Sequence, residues 1–192
     1  MPLTQAQAFQ IFVSSGALLE GHFQLSSGLH SDQYLEKFRL VENPRLFEPL
    51  CEALAVRYAK DGIEIVLGPT TAGIILAYTV ARILGVEARY AEREGESRVL
   101  RRGQTLPKNA RVLVVDDVLT TGGAVRECIH LVQSVGAHLV GVGLLADRSG
   151  GTVDLGTRVE ALLTLSMPTY RPEACPLCIS GIPLVKPGST PG

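Results

Sequence analysis

The chain has 192 residues, 46% of them hydrophobic and 19% charged, which suits one ordinary globular domain with a buried core and excludes a disordered chain. Eighteen Lys and Arg against nineteen Asp and Glu leave a net charge of -1, without the positive field that duplex nucleic acid binding relies on, so no nucleic acid partner is expected. The longest apolar stretch, Ala72 to Ala81, is too short to span a bilayer, and Met1 to Gln5 shows no basic run ahead of an apolar segment; the expectation is a cytoplasmic protein with no membrane partner.

In chain order, residues 1–40 read as a small N-terminal hood: a short helix over Gln5 to Phe12, then extended pieces and turns from Ala17 to Leu40. Leu46, Phe47, Leu50, Leu54 and Ala55 recur at helical spacing between Pro44 and Lys60, with Asn43 as cap, Pro44 in the first turn and Asp61-Gly62 as the stop. Four compact apolar runs follow, Ile63 to Leu67, Val112 to Val115, Leu139 to Leu145 and Val159 to Leu165, and such runs suit strands buried on both faces. Helical stretches at Gly73 to Leu84 and Ala124 to Val135 separate the first three. This alternation predicts an α/β fold, a central parallel sheet flanked by helices on both faces, over a core of about residues 44–168. The remainder, 169–192, is a Pro-rich tail whose last six residues are expected to fray.

The segment richest in chemistry is Val112-Leu113-Val114-Val115-Asp116-Asp117-Val118-Leu119-Thr120-Thr121-Gly122-Gly123-Ala124. An apolar strand stops at two acids and turns through hydroxyl and glycine residues into a helix, where free backbone N–H groups and the helix dipole favour a phosphate dianion. The spacing is neither that of a Walker loop nor that of a dinucleotide-binding turn. Two adjacent carboxylates beside an anion cradle make sense if they grip neutral hydroxyls, meet a cation or face developing positive charge, and a ribose 5-phosphate satisfies all three. A second glycine-rich turn, Gly68-Pro69-Thr70-Thr71-Ala72-Gly73, also links a strand to a helix and offers further N–H donors.

The Asp116 to Ala124 string resembles the signature by which type I phosphoribosyltransferases bind 5-phosphoribosyl 1-diphosphate (PRPP). Phe23-Gln24-Leu25-Ser26-Ser27-Gly28-Leu29-His30-Ser31-Asp32 and Ala146-Asp147-Arg148 narrow the resemblance to the orotate phosphoribosyltransferase family. It covers roughly residues 15 to 150. The resemblance implies a transferase that makes orotidine 5'-phosphate and diphosphate for pyrimidine synthesis. It implies that Asp116 and Asp117 hold the ribose hydroxyls, that Val118, Leu119, Thr120, Thr121, Gly122, Gly123 and Ala124 carry the 5-phosphate turn, and that Thr70 and Thr71 lie beside the diphosphate. Orotate is implied to meet Ser26, Tyr34, Thr120 and Arg148, a guanidinium being suited to grip a carboxylate by two parallel hydrogen bonds. The family also implies a homodimer.

Many members carry a lysine where this chain has Ala72, and a Lys- and His-bearing mobile loop where it has the short, arginine-rich Ala91 to Gly103. From Arg89 to Arg111 seven basic residues face three acids, Glu92, Glu94 and Glu96. Arg93, Arg101 and Arg102 are therefore the expected diphosphate clamp, with Arg98 a further candidate, against the plainer reading of a solvated charged hairpin. Mg2+ is expected to arrive on PRPP rather than on protein ligands.

Cys175-Pro176-Leu177-Cys178 has the spacing of half a zinc site or of a redox pair. No second such motif or close His pair stands out, so only Cys51, Cys128 or a partner subunit is expected to complete four ligands, and reduced structural thiols are the favoured reading. His30 is a candidate to approach substrate. Two rivals remain: a phosphoribosyltransferase for a purine or other base, and a non-catalytic PRPP-sensing regulator.

Overall fold

A computed structural model describes residues 3–25, 27–95 and 97–187. The hood opens with α1 (Gln5–Ser14), capped by Thr4, whose hydroxyl accepts the Gln7 N–H while the Gln7 side chain returns a bond to the Thr4 N–H. A two-stranded antiparallel sheet follows, β1 (Leu18–Gln24) against β2 (His30–Leu35), then the single turn α2 (Phe38–Val41). Helix α3 (Pro44–Tyr58) has Asn43 at its cap position, but the Asn43 side chain makes no capping bond.

The main sheet has six strands in the order β5-β4-β3-β6-β7-β8. Its members are β3 (Ile65–Pro69), β4 (Glu87–Glu94), β5 (Ser97–Val99), β6 (Arg111–Leu119), β7 (His138–Asp147) and β8 (Val159–Thr164). All neighbours pair in parallel except the edge strand β5, which is antiparallel to β4. Helices α4 (Ala72–Leu84) and α5 (Gly123–Ser134) are the crossovers after β3 and β6. Side chains alternate across the strands, so Val66, Leu113, Val115 and Leu145 meet Leu50 and Leu54 of α3 and Leu76 and Val80 of α4 on one face. Ile65, Leu67, Val112, Val114 and Leu144 meet Val125, Cys128, Ile129 and Val132 of α5 on the other. The expected sheet, buried on both faces, is thus present.

Two features depart from the sequence expectation. Of the stretch matched to the family's mobile loop, Ala91 to Gly103, the first four residues end the strand Glu87 to Glu94, whose backbone pairs with β3 through Ala91 and with β5 beyond it although only Ala91 is buried. Strand β6 runs through both acids to Leu119, since β7 continues to pair with it at Asp116, Val118 and Leu119. Beyond β8 a 3-10 turn (Pro172–Ala174) and the four-residue α6 (Pro176–Ile179) lead back to the hood, where Val185 bonds His22 and Gln24 and Tyr170 bonds His30 through backbone groups. Residues 188–192, most of the segment expected to fray, lie outside the described residues. No described helix is long and apolar enough to cross a membrane.

Candidate active site

Strand order reverses between β3 and β6: the chain leaves β3 toward β4 on one side and leaves β6 toward β7 on the other. Ligands of open parallel sheets bind at such a switch point, outside the carboxyl ends of the strands. The two glycine-rich turns both lie there. In the first, a Cβ on Gly68 would stand 2.1 Å from the Gly73 carbonyl oxygen, so only glycine lets the turn fold onto α4. The Thr70–Thr71 peptide in this turn is cis. In the second, Gly122 holds φ at 83° as the residue that opens α5, and a Cβ there would press on Val153 at 3.0 Å.

The second turn borders a cavity of about 290 Å³ lined by Asp116, by the residues from Val118 through Val125, by Glu127 and by Arg93 from β4. Five of its residues, Thr120 to Ala124, form the strand-to-helix turn, so the free N–H groups of the α5 terminus open into it, with one cation opposite. Asp116 is buried; its Oδ1 accepts the Asp117 N–H at 2.9 Å, and Asp117 Oδ1 accepts the Val118 N–H at 2.6 Å. Burial, with the neighbouring Asp117 charge second, pushes the Asp116 carboxyl up to about 7. Asp117 has a counterion that sequence reasoning misses: Lys37 Nζ lies 3.0 Å from Oδ2 and 3.2 Å from Oδ1. The two are 80 positions apart, and nothing in the sequence links them.

A second cavity, of about 380 Å³, shares Val118 and Thr120 with the first and is bounded by the hood residues Tyr34 and Lys37, by Arg148 and by Lys186 and Pro187 of the returning chain. Tyr34 is half-buried against Phe23, with ring centroids 5.6 Å apart, and desolvation raises its hydroxyl pKa. The Arg148 Nε is buried and has no hydrogen-bond partner among the described residues, and burial lowers the pKa of its guanidinium. Asp147 beside it shapes the turn, its carboxylate accepting the Ser149 N–H at 2.7 Å and the Gly151 N–H at 3.2 Å.

The structure therefore brings Asp116, Val118 to Ala124 and Arg93 to one cavity and Tyr34, Thr120 and Arg148 to its neighbour. Thr70 and Thr71 stand at the end of β3 but line neither cavity, and Ser26 lies outside the described residues. Arg101 and Arg102 line neither cavity and pair with Glu94 and Glu92, the latter at 3.0 Å. Charges on β4 and on the chain just after β5 satisfy each other locally, as in the solvated-hairpin reading. Arg98 is buried beneath the first turn, donating to Thr70 Oγ1 and the Ala91 carbonyl oxygen, both at 3.2 Å, and pairing with Glu127 at 3.2 Å. It joins the turn to α5 and lines neither of the two cavities of the site.

The Phosphoribosyl transferase domain family matches residues 40–161. An orotate phosphoribosyltransferase of Pelotomaculum thermopropionicum is 50% identical over 187 residues, 97% of this chain and 98% of the relative. The chain belongs to the orotate phosphoribosyltransferase family. A further member, from Carboxydothermus hydrogenoformans, is 51% identical over 183 residues, 94% of this chain and 96% of its own. Among solved structures, orotate phosphoribosyltransferase from Aeropyrum pernix superposes with a TM-score of 0.70 at 29% identity, covering 81% of this chain and 92% of that one. Identity to these family members extends through the hood and beyond β8, outside the residues matched by the domain family.

The cysteine expectation needs correction. Cys51 and Cys128 are buried in the two cores, where burial pushes the Cys128 thiol up to about 12, and neither joins the Cys175/Cys178 pair. His22 and His30 do, and His30 accordingly faces this cluster rather than the substrate cavity. The sequence signal was available in the hairpin: Gln24 pairs with His30, so His22, two residues earlier, is the diagonal neighbour of His30 on the same face.

Proposed function

We propose that this protein transfers the 5-phosphoribosyl group of PRPP to orotate, giving orotidine 5'-phosphate and diphosphate. The observation that carries the base assignment is Arg148, a guanidinium with a buried, unpartnered Nε in a cavity that shares Thr120 with the phosphate cradle. A buried donor without a partner is costly, and a planar carboxylate supplies two acceptors at once. Purine bases have no such group.

In this reading the N–H groups from Thr120 to Ala124 bind the 5-phosphate, and Asp116 and Asp117 accept from the ribose hydroxyls, with Lys37 holding Asp117 in place. Thr70 and Thr71 contact the diphosphate from the first turn. The cradle offers few hard oxygen donors, Asp116 and Glu127, which fits Mg2+ that stays on the diphosphate and its waters. Bound there, Mg2+ would neutralise charge on the leaving diphosphate. The negative Asp116/Asp117 pair lies where the ribosyl ring gains oxocarbenium character, and the base nitrogen attacks from the Arg148 side as the bond to diphosphate breaks. Orotate held by Arg148, Thr120 and Tyr34, with Ser26 from the hood, binds with that nitrogen already deprotonated, its proton having passed to solvent, so the anionic nitrogen attacks without a general base.

Arg93 is the cation at the cradle, and Arg101 and Arg102 would join it only if the β4–β5 hairpin moved or served a second subunit. A homodimer is supported by the apolar side chains left exposed on adjacent helices, Val56 on α3 and Ile75 and Tyr78 on α4. The test is loss of orotate ultraviolet absorbance with purified protein, PRPP and Mg2+, run beside adenine, hypoxanthine, xanthine and uracil. Turnover of orotate alone is expected. Turnover of a purine, or PRPP binding with no turnover of any base, would replace this function by one of the two rivals.

A further inference from the structure

The segment from Pro168 to Val185 crosses the hood with very little core to hold it. Neither the 3-10 turn nor α6 buries a hydrophobic side chain apart from Cys175 between them, and Ile179, Ile182, Leu184 and Val185 are all exposed. Backbone bonds to His22, Gln24 and His30 set its path, and the Ser31 hydroxyl donates to the Pro168 carbonyl at 2.8 Å. Such bonds exchange with water at small net gain, so a segment this exposed needs another anchor.

That anchor lies where the segment meets the hairpin. His22 Nε2, His30 Nδ1 and the sulfurs of Cys175 and Cys178 all lie within 4.8 Å of one another. Individual separations are 2.9 Å between the two nitrogens, 3.5 Å and 3.7 Å from His22 to the two sulfurs, and 3.3 Å from Cys178 to His30. Tetrahedral Zn2+ with ordinary Zn–N and Zn–S bonds requires ligand-to-ligand edges of about 3.3 to 3.8 Å, so the ion would be seated by small shifts that open the 2.9 Å pair of nitrogens and draw in the widest separations, which reach 4.8 Å. His22, His30 and Cys175 are buried, and the exposed Cys178 turns its sulfur inward to His30. The outer shell is also in place: His22 Nδ1 lies 2.7 Å from the Ile182 carbonyl oxygen, which holds the proton on Nδ1 and leaves the Nε2 lone pair directed into the cluster.

We propose that His22, His30, Cys175 and Cys178 form a structural Zn2+ site that fastens this segment to the hood. Two thiol protons leave as Zn2+ enters, so two thiolates and two neutral imidazoles give an uncharged Cys2His2 centre, which suits its buried position. Four protein ligands leave no open coordination position, so the centre is structural. Its consequence reaches the base cavity, because Lys186 and Pro187 at the end of the fastened segment form part of that cavity's wall.

The experiment is elemental analysis of the untagged full-length protein, reconstituted with Zn2+ and dialysed, together with Co2+ substitution. About one Zn2+ per chain is expected, with the Co2+ form showing the ligand-field and thiolate charge-transfer absorption of a tetrahedral sulfur-bound ion. Cys178→Ser and His30→Ala should each lose at least about nine-tenths of the bound zinc, melt at lower temperature, and raise the KM for orotate while leaving that for PRPP unchanged. Wild-type protein that retains no zinc after reconstitution, a Cys175–Cys178 disulfide found by mass spectrometry of protein purified under nitrogen, or zinc content equal in wild type and Cys178→Ser would each overturn the site. The wild-type stoichiometry and the Co2+ spectrum decide the matter even if a variant fails to fold, and neither depends on which base the enzyme uses.

Discussion

Arg148→Met separates recognition of the base from the stability of the fold. The substitution keeps a long, flexible stem and removes the guanidinium. In the free protein that guanidinium has its Nε buried without a partner, and burial lowers its pKa by more than the neighbouring Tyr34 raises it, so on balance its charge is disfavoured there. The melting temperature should therefore stay level or rise. Orotate, in contrast, loses two charge-assisted hydrogen bonds of about 1.5–3 kcal/mol each, together about 3–6 kcal/mol. At about 1.4 kcal/mol per decade, kcat/KM for orotate should fall between about a hundredfold and ten-thousandfold. Initial rates over a matrix of orotate and PRPP concentrations give both specificity constants, and PRPP binding to the free enzyme, measured by calorimetry, should be unchanged. A folded variant whose kcat/KM for orotate lies within a few fold of the wild type would show that Arg148 does not grip the base.

The remaining predictions concern the cradle. The Asp116 carboxyl is raised from 3.8 to about 7 in the folded protein, so its contribution to stability is neutral below the lower value and increasingly unfavourable as pH rises toward the upper one. Urea titrations should show Asp116→Asn gaining stability relative to wild type across that window; a constant difference would remove the linkage. Binding of Mg-PRPP at neutral pH should release protons through Asp116, seen as a calorimetric enthalpy that varies with the ionisation enthalpy of the buffer, an effect absent in Asp116→Asn. Arg93→Ala should raise the KM for PRPP by about tenfold or more, the loss of one charge-assisted contact. Arg101→Ala/Arg102→Ala should lower kcat/KM only if the hairpin closes over the diphosphate; kinetics equal to wild type would leave those two residues as surface ion pairs.

The buried strands were legible because Val, Ile and Leu cluster where both faces of a sheet are covered, and the phosphate turn because its glycines and hydroxyls follow such a run directly. Strand β4 was not, since Glu-Ala-Arg-Tyr-Ala-Glu-Arg-Glu carries the charge pattern of an exposed hairpin and owes its conformation to backbone pairing with β3. The two acids read as the end of β6, yet parallel pairing with β7 outweighs their poor strand propensity and carries the backbone to Leu119. Lys37 beside Asp117 and the histidines beside Cys175 and Cys178 arise from contacts spanning about 80 and about 150 positions, as the hydrogen-bond separations show. Local pattern has no access to such distances; only the hairpin spacing of His22 and His30 hinted at one.

The hood and the segment that crosses it also set an order of assembly. His22 bonds Ile182 and Ser31 bonds Pro168 across separations of 160 and 137 positions, so β1 and β2, although made early, meet these partners only after every strand of the main sheet has been synthesised. The phosphate cradle draws on β4 and on contiguous chain from Asp116 to Glu127, and can form before then. A nascent chain should thus acquire the ability to hold a phosphorylated sugar ahead of the ability to select a base, with the slow, non-local closure of the hood as the last event.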